Sequence, residues 1–275
     1  MIRFEKVAFR YPDRTEKKDQ SLRAACERTS EVELPETCTP SVFEGVSFCL
    51  KKGELVGLAG GNGAGKSTIA LLAAGLRLPT AGSVTVVEVS TASRDPEIQR
   101  RVGILFQSPD HQIVGITVEE DLAFGLENLG ISRDEMHSRV RHVAEAFGLG
   151  QYLRVPVKHL SGGVMQRLAI AGVMVMEPDF LILDEPTSQL DPWARREAWK
   201  QIVELQSSHG LGILVISQQP FDLERVPRML VVANGRLAFD GASGDLWKHP
   251  EVGAWGIRVP ESALMAGLLT TDNLR

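Results

Sequence analysis

What this chain has little of narrows its place before any motif is read. It carries three cysteines, Cys26, Cys38 and Cys49, an odd number without a metal-ligand spacing. Its N-terminus lacks the charged-then-apolar pattern of a secretory leader. A disulfide framework and a cysteine-based zinc site are thereby excluded, and a reducing cytosol is the simple expectation. Long apolar runs are missing as well. Stretches such as Leu168 to Met176 stop well short of the roughly 18 residues that cross a bilayer, so a membrane role has to come through a partner. Positive charge is not in excess: the net charge of −5 argues against a nucleic-acid-binding surface. Internal repeats and low-complexity segments are absent. The 275 residues, 43% hydrophobic and 24% charged, suit one large soluble α/β domain, with or without a small appended one.

Against these absences stands Gly60-Gly61-Asn62-Gly63-Ala64-Gly65-Lys66-Ser67-Thr68, a glycine, four residues, then Gly-Lys-Ser. An apolar strand candidate, Leu55 to Ala59, precedes it, and an apolar helix candidate, Ile69 to Leu76, follows. Glycines let the backbone curl so that successive N–H groups face an anion, and the helix adds the positive end of its dipole. A polyphosphate fits such a loop. Lys66 is expected to reach the β- and γ-phosphates, and the Ser67 hydroxyl to join the coordination of Mg²⁺.

Along the chain, Ile2 to Phe9 reads as a strand closed by Tyr11-Pro12, and Asp13 to Pro40 as a mixed-charge surface insertion. Val42 to Leu50 alternates in part before Lys51-Lys52-Gly53 turns the chain into the strand that feeds the loop. Pro79 to Gly82 is a turn, and Val84 to Val89 and Val102 to Phe106 read as strands, the second ended by Gln107. From Ser108 to about Met176 helical signals dominate, as expected of a helical subdomain inserted into the core. Within it Ser132 and Glu135 have the spacing of a capping box, and Met136, Val140, Val143 and Phe147 recur at helical spacing until Gly148. Ile213 to Ile216 reads as a buried strand ending in Ser217-Gln218. Met229 to Ala233 and Arg236 to Phe239 form a hairpin by the chemistry of Asn234-Gly235. The tail from Gly241 is expected to hold short helices packed on the core.

Two further stretches carry chemistry. Phe180-Leu181-Ile182-Leu183 is a wholly apolar strand candidate ending in Asp184-Glu185. Asp184 stands where an outer ligand of Mg²⁺ belongs, and Glu185 where a carboxylate polarises the water that attacks the γ-phosphate. Leu160-Ser161-Gly162-Gly163 opens a long helix, so Ser161, Gly162 and Gly163 expose N–H groups at a second anion-seeking end. A phosphate loop and a separate phosphate-seeking helix in one chain suggest composite sites, closed by two subunits placed head to tail. His111 invites a metal reading, but a lone histidine beside Asp110 with no other ligand in register is ordinarily a solvated side chain.

Tyr11, the Gly60 to Ser67 loop, Gln107, Leu160 to Gly163, Phe180 to Glu185 and Ser188-Gln189-Leu190-Asp191 follow the order and spacing of the ATP-binding cassette ATPases, which the chain resembles over nearly its whole length. The stretches from Phe106 to Ile113 and Thr117 to Gly125, with the tail Gly256 to Glu261, Leu264 and Leu268-Leu269, are similar to the ATPase subunits of energy-coupling factor transporters, which import vitamins or cobalt and nickel ions. The resemblance implies a P-loop NTPase (RecA-like) α/β core with an N-terminal β subdomain and an inserted helical subdomain. The cassette then spans about 1–240, with the helical part near 108–176, the insertion near 13–40, and a C-terminal helical extension over 241–275. It implies ATP and Mg²⁺ as ligands: Tyr11 stacks on adenine, residues Gly60 to Thr68 hold phosphates, and Ser67, Gln107 and Asp184 serve the Mg²⁺. Gln107 also senses the γ-phosphate, Glu185 is the base, Ser161 to Gly163 bind the nucleotide of the opposite subunit, and Asp191 crosses the dimer interface. It implies a peripheral place on the cytoplasmic face of the membrane, bound to a transmembrane coupling protein that holds a membrane substrate-binding protein, together with a second cassette.

Two positions depart from the family pattern. Gln218 stands where a histidine contacts the γ-phosphate; an amide donates a neutral hydrogen bond but cannot carry charge. Losing one well-placed donor costs on the order of 10² to 10³ in rate, so slow turnover at this chain's own Lys66 site is expected. Val164 replaces the usual glutamine of the signature and is expected to matter less. Both departures favour a heterodimer of unequal ATPases over a tolerant homodimer. The competing readings are a soluble mechanical ATPase acting on DNA or ribosomes, and a regulatory module that hardly hydrolyses. The short gap from Gln107 to Ser161 opposes the first, and intact Lys66, Asp184 and Glu185 oppose the second.

Overall fold

The computed structural model describes residues 1–12, 41–108, 112–265 and 267. The 13–40 insertion, Cys26, Cys38, Asp110, His111 and Leu268-Leu269 lie outside the described residues. Two sheets organise the rest.

The first sheet is antiparallel. β1 (Ile2–Phe9) lies between β2 (Phe43–Leu50) and β4 (Ala81–Val86), with the short β5 (Val89–Ser90) at the edge. The partial alternation of β2 has a cause: its register against β1 shifts twice, and Gly45 lies in the left-handed region with φ 69°. The single strand expected from Val84 to Val89 is in fact two. Val87 (φ 46°) and Glu88 (φ 71°) make a tight turn between β4 and β5. A β-branched residue rarely adopts that conformation, and no glycine or asparagine marks the turn.

The second sheet carries the site. Its order is β10-β9-β3-β8-β7-β6, comprising β3 (Leu55–Ala59), β6 (Val102–Leu105), β7 (Phe180–Asp184), β8 (Gly212–Ile216), β9 (Arg228–Ala233) and β10 (Arg236–Ala242). All neighbours pair in parallel except β9 with β10. That last pair is the expected hairpin, with Asn234 at φ 50° and Gly235 at φ 72°. β3, β7 and β8 are buried at every residue, as parallel strands covered on both faces must be. Helix α1 (Lys66–Ala73) covers one face with the antiparallel sheet, joining Phe4, Phe43 and Ile69 to Ile182 and Leu214. The other face packs on α6 (Pro192–His209) and the C-terminal segment, through Trp199, Ile202, Trp247, Trp255 and Ile257.

Helix α2 (Pro96–Arg101) leads into β6, and between β6 and β7 lies the helical part: α3 (Val118–Asn128), α4 (Arg133–Ala146) and α5 (Gly162–Met174) around Val118, Leu122, Leu126, Val140, Ala144 and Leu168. The capping box forms at a different place from the one expected. Thr117 accepts from the Glu120 amide, and the Glu120 carboxylate accepts from the Thr117 amide. Ser132 makes no side-chain cap, and the Glu135 carboxylate, which would complete the box, instead pairs along its helix with Arg139 at 2.6 Å. Gly148 ends α4 as expected, at φ 62°, with the Leu149 amide reaching back to the Ala144 carbonyl at 2.6 Å.

Helix α5 is shared. Leu168, Ala171 and Val175 face the helical cluster, while Ala169, Ile170 and Val173 face the sheet. Leu168→Ala should therefore lower stability by about 2–5 kcal/mol through the cavity it leaves, seen as a lower denaturant midpoint. A midpoint within error of the parent would contradict the packing described.

Candidate active site

Four parallel strands in adjacent order, β3-β8-β7-β6, end at one edge of the sheet, and each exit carries a polar residue. From β3 comes the loop to Lys66, from β8 Gln218, from β7 Asp184 and Glu185, and from β6 Gln107. A cavity of about 390 Å³ opens there, lined by Tyr11, Asn62, Gly63, Gly65, Lys66, Ser67, Thr68, Gln107, Asp184, Glu185 and Gln218. Gly60, Gly61 and Ala64 build the loop behind it.

The loop's shape needs its glycines. At Gly60 (φ 149°) a Cβ would run into the Val232 carbonyl oxygen of β9. At Gly65 (φ 93°) it would lie 2.6 Å from the Val42 side chain and 2.9 Å from Phe43. Gly65 is also the N-cap of α1 and provides no side-chain cap, so the first amides of that helix are left for an anion.

Lys66 is 8% exposed, and its Nζ donates to the carbonyls of Gly60 and Gly61, each at 2.9 Å. Burial lowers its proton affinity, against the pull of Glu185 and Asp184. Burial likewise raises Asp184 above the usual carboxylate range, opposed by a hydrogen bond from Ser67 and by the Lys66 charge. Glu185 is raised by burial first and then by Asp184 and Asp222. Both signs of charge are thus partly desolvated side by side. These groups suit a polyphosphate with Mg²⁺: Lys66 and the loop amides face anionic oxygens, and Ser67, Asp184 and Gln107 offer the oxygens a hard cation takes.

Glu185 is held in an unusual backbone. Its φ is 51°, fixed by its amide donating to the Ile216 carbonyl at 2.8 Å. A non-glycine residue there costs of order 1–3 kcal/mol, a strain typical of functional positions. The carboxylate Oε1 accepts from the Gln218 amide at 3.1 Å. The Gln218 side chain crosses the cavity, its Nε2 donating to Asn62 Oδ1 at 2.6 Å. Tyr11, 42% exposed, stands edge-on to Phe9 at 4.9 Å, and its hydroxyl lies 3.0 Å from Thr68 Oγ1. Its partly exposed ring lines the cavity.

The remaining expected residues lie elsewhere. Ser161, at the N-cap of α5, makes no side-chain cap, and both Gly162 and Gly163 are exposed with open space where a Cβ would go. Ser161 and Gly163 line a separate cavity of about 320 Å³ with Leu190, Ala194 and Glu197. Val164 turns into the helical cluster, 8% exposed. Asp191 caps α6, accepting from the amides of Trp193 (2.8 Å) and Ala194 (2.9 Å). Sequence reasoning passed over Thr187, Trp199 and Asp222, which form a buried polar knot beneath Glu185 and Ser217. The available signal was an acid in the apolar run Pro220-Phe221-Asp222-Leu223, four residues beyond Gln218.

A phosphate loop after β3, an acid pair closing β7 two strands along, and glutamines at the exits of β8 and β6 on either side of β7 define a nucleoside-triphosphate-binding cassette. The sequence model of the ABC transporter family matches residues 43–188. The chain is 38% identical over 242 residues to the energy-coupling factor transporter ATP-binding protein EcfA1 of Caldanaerobacter subterraneus, covering 87% of each. It is 44% identical over 202 residues to the cobalt import ATP-binding protein CbiO of Syntrophus aciditrophicus, covering 73% of this chain and 72% of that one. Among solved structures, cbiO1 of Clostridium perfringens, part of the ABC transporter complex cbiONQ, superposes with a TM-score of 0.74 at 27% identity, covering 97% and 98%. The chain belongs to the ABC transporter family, in the branch of energy-coupling factor and cobalt-type ATP-binding subunits. Membership implies ATP binding and ATPase activity coupled to transport.

ATP with Mg²⁺ should raise the melting temperature of the protein, and Lys66→Ala should remove most of that shift. An undiminished shift in Lys66→Ala, followed by differential scanning fluorimetry, would place the nucleotide elsewhere.

Proposed function

We propose that this chain is the ATP-hydrolysing subunit of an energy-coupling factor type importer, working at the cytoplasmic face of the membrane and powering uptake of a vitamin or transition-metal ion. The convergence of Lys66, Asp184, Glu185, Gln107 and Gln218 on one cavity carries this reading. In it, residues 1–240 form the cassette and 241–275 a C-terminal extension. Tyr11 stacks on the adenine, the Gly60 to Thr68 segment binds phosphates, and Ser67, with Gln107 and Asp184, holds the Mg²⁺, which neutralises phosphate charge when bound. Glu185 takes one proton from water as its oxygen bonds the γ-phosphorus. The bond from that phosphorus to the bridging oxygen breaks, and its electron pair leaves on ADP.

The chain supplies half of each site. Ser161, Gly162 and Gly163 open away from its own phosphate cavity, onto a surface shared with the 188–191 loop, which suits engagement of nucleotide held by a second cassette. That cassette is a different protein in this reading. Gln218 reaches the loop only as a neutral amide, so hydrolysis at this Lys66 is slow and the faster site is the one closed by the partner's loop.

Membrane attachment comes through partners, since among the described residues no helix is long and apolar enough to cross a membrane. A groove between core and helical part, lined by Pro96, Gln112, Val114, Phe124, Gly125 and Met176, lies just beyond Gln107. Val114, Ile116 and Phe124 are 62%, 76% and 44% exposed around it, and this apolar patch is where the coupling protein docks.

Three measurements test the reading. Purified in mild detergent from its own membranes, the tagged chain should bring down a multi-helix membrane protein, a small membrane binding protein and a second cassette. Recovery of ribosomal or DNA-associated proteins alone would falsify the importer reading. Phe124→Asp should lose the membrane proteins while keeping the ATP-induced thermal shift; unchanged recovery moves the docking surface elsewhere. Gln218→His should speed turnover at this site by about tenfold or more, and an unchanged single-site rate removes the slow-site assignment.

A further inference from the structure

Asp222, on the short helix α7 (Pro220–Leu223), is fully buried. A buried carboxylate is tolerated only when donors surround it. Thr187 Oγ1 lies 2.8 Å from both its oxygens and shares its one hydrogen between them, while Trp199 Nε1 donates to Oδ1 at 2.6 Å and Ser217 Oγ to Oδ2 at 2.7 Å. These donors come from three places that matter to the site: the segment after Glu185, the helix capped by Asp191, and the end of β8 just before Gln218.

Ser217 is the informative one. It is fully buried, and its Oγ accepts from the Gln219 amide at 3.0 Å. A hydroxyl has a single hydrogen. Two carboxylate oxygens compete for it: Asp222 Oδ2 at 2.7 Å and Glu185 Oε2 at 3.5 Å. The shorter contact has the length of a strong O–H···O⁻ bond, and the longer one lies at the outer limit of hydrogen bonding. The hydrogen therefore belongs to Asp222. Glu185 then keeps its bond from the Gln218 amide on Oε1, while Oε2 has no strong donor from Ser217.

We infer that Asp222 is a positioning residue for hydrolysis: by holding the one hydrogen of Ser217, it leaves Glu185 Oε2 free to accept a proton from the attacking water. The inference rests on the reading of Glu185 as the base. With a neutral, partly donating amide in place of the Asp222 carboxylate, the Ser217 hydroxyl would swing to Glu185 and occupy the oxygen that the water needs. A general base already engaged by a buried donor is a weaker base.

The test is steady-state ATPase activity of the full chain, assembled with its partner cassette where turnover requires it, together with MgATP affinity. Asp222→Asn should lower kcat by about tenfold or more and leave KM within about threefold. Ser217→Ala should keep kcat within about threefold of the parent, since its hydroxyl does not serve Glu185. The double variant Ser217→Ala with Asp222→Asn should be faster than Asp222→Asn alone, because the competing hydrogen is gone. A purely structural role for Asp222 predicts the opposite, further loss on removing another bond of the knot. A double variant as slow as Asp222→Asn, or slower, overturns the inference. So does a tenfold or larger loss in Ser217→Ala, and that comparison decides alone if Asp222→Asn does not fold. Glu185→Gln, measured alongside, separates the two levels. Full activity there removes the base reading itself, whereas an inactive Glu185→Gln with an unrescued double variant removes only the role of Asp222.

Discussion

The desolvated charge at the carboxyl edge of the parallel sheet is the constraint on which this structure turns. Lys66 is a nearly buried ammonium whose neutral partners are two carbonyls of its own loop. Asp184 and Glu185 sit close enough to influence it and are themselves pushed up by burial. None of these groups finds its best partner within the chain. Polyphosphate oxygens suit the ammonium and the amides at the start of α1 better than carbonyls do, and a divalent cation suits the carboxylate side. Affinity for a Mg²⁺-nucleotide is thus a property of groups already taken out of water, and little further desolvation is required on binding.

The fold exists to keep those groups apart in sequence and together in space. Parallel pairing places the ends of β3, β8, β7 and β6 in a row, so that four exits lying between residues 59 and 218 meet at one cavity. Burial of β3, β8 and β7 on both faces fixes their register, since these strands have no solvent face to slip toward. Glu185 shows the tightness of this arrangement. Its amide bonds the end of β8 and its carboxylate bonds the Gln218 amide, so strand register sets both its strained backbone and its aim.

Much of this was legible because the sequence announces it with residue types that have few other uses. The loop glycines, the apolar runs ending in polar pairs and the Asn234-Gly235 turn each have one low-energy solution, and the structure takes it. The misreadings fall where local signals were equal and packing decided. Thr117-Val118-Glu119-Glu120 and Ser132-Arg133-Asp134-Glu135 have the same capping pattern, yet Glu135 lies within reach of Arg139 one turn on and Glu120 does not use such a pair. Val87-Glu88 turns without turn residues because β4 pairs with β1 on one side and folds back on the other. Asp222 was hard to read for a different reason: an acid in an apolar run is a weak signal until its donors are known, and those are 35, 23 and 5 residues away in sequence.

Helix α5 runs between the signature segment and the groove beside Phe124. It spans about 20 Å at 1.5 Å per residue. Its N-terminus presents Ser161 to Gly163, and its far end, through Gly172 and Val173, borders the groove with Phe124 and Met176. One face is bound into the sheet core and the other into the helical cluster. A packed helix of this kind moves as a unit, because sliding either face alone would open cavities costing several kcal/mol. Under the proposed function, nucleotide engaged at the N-terminus would therefore shift the far end of the helix, and the groove it borders, as one body. In that proposal the signature segment and the groove are separated by the length of one helix, and a helix packed on both faces is the element able to carry force between them.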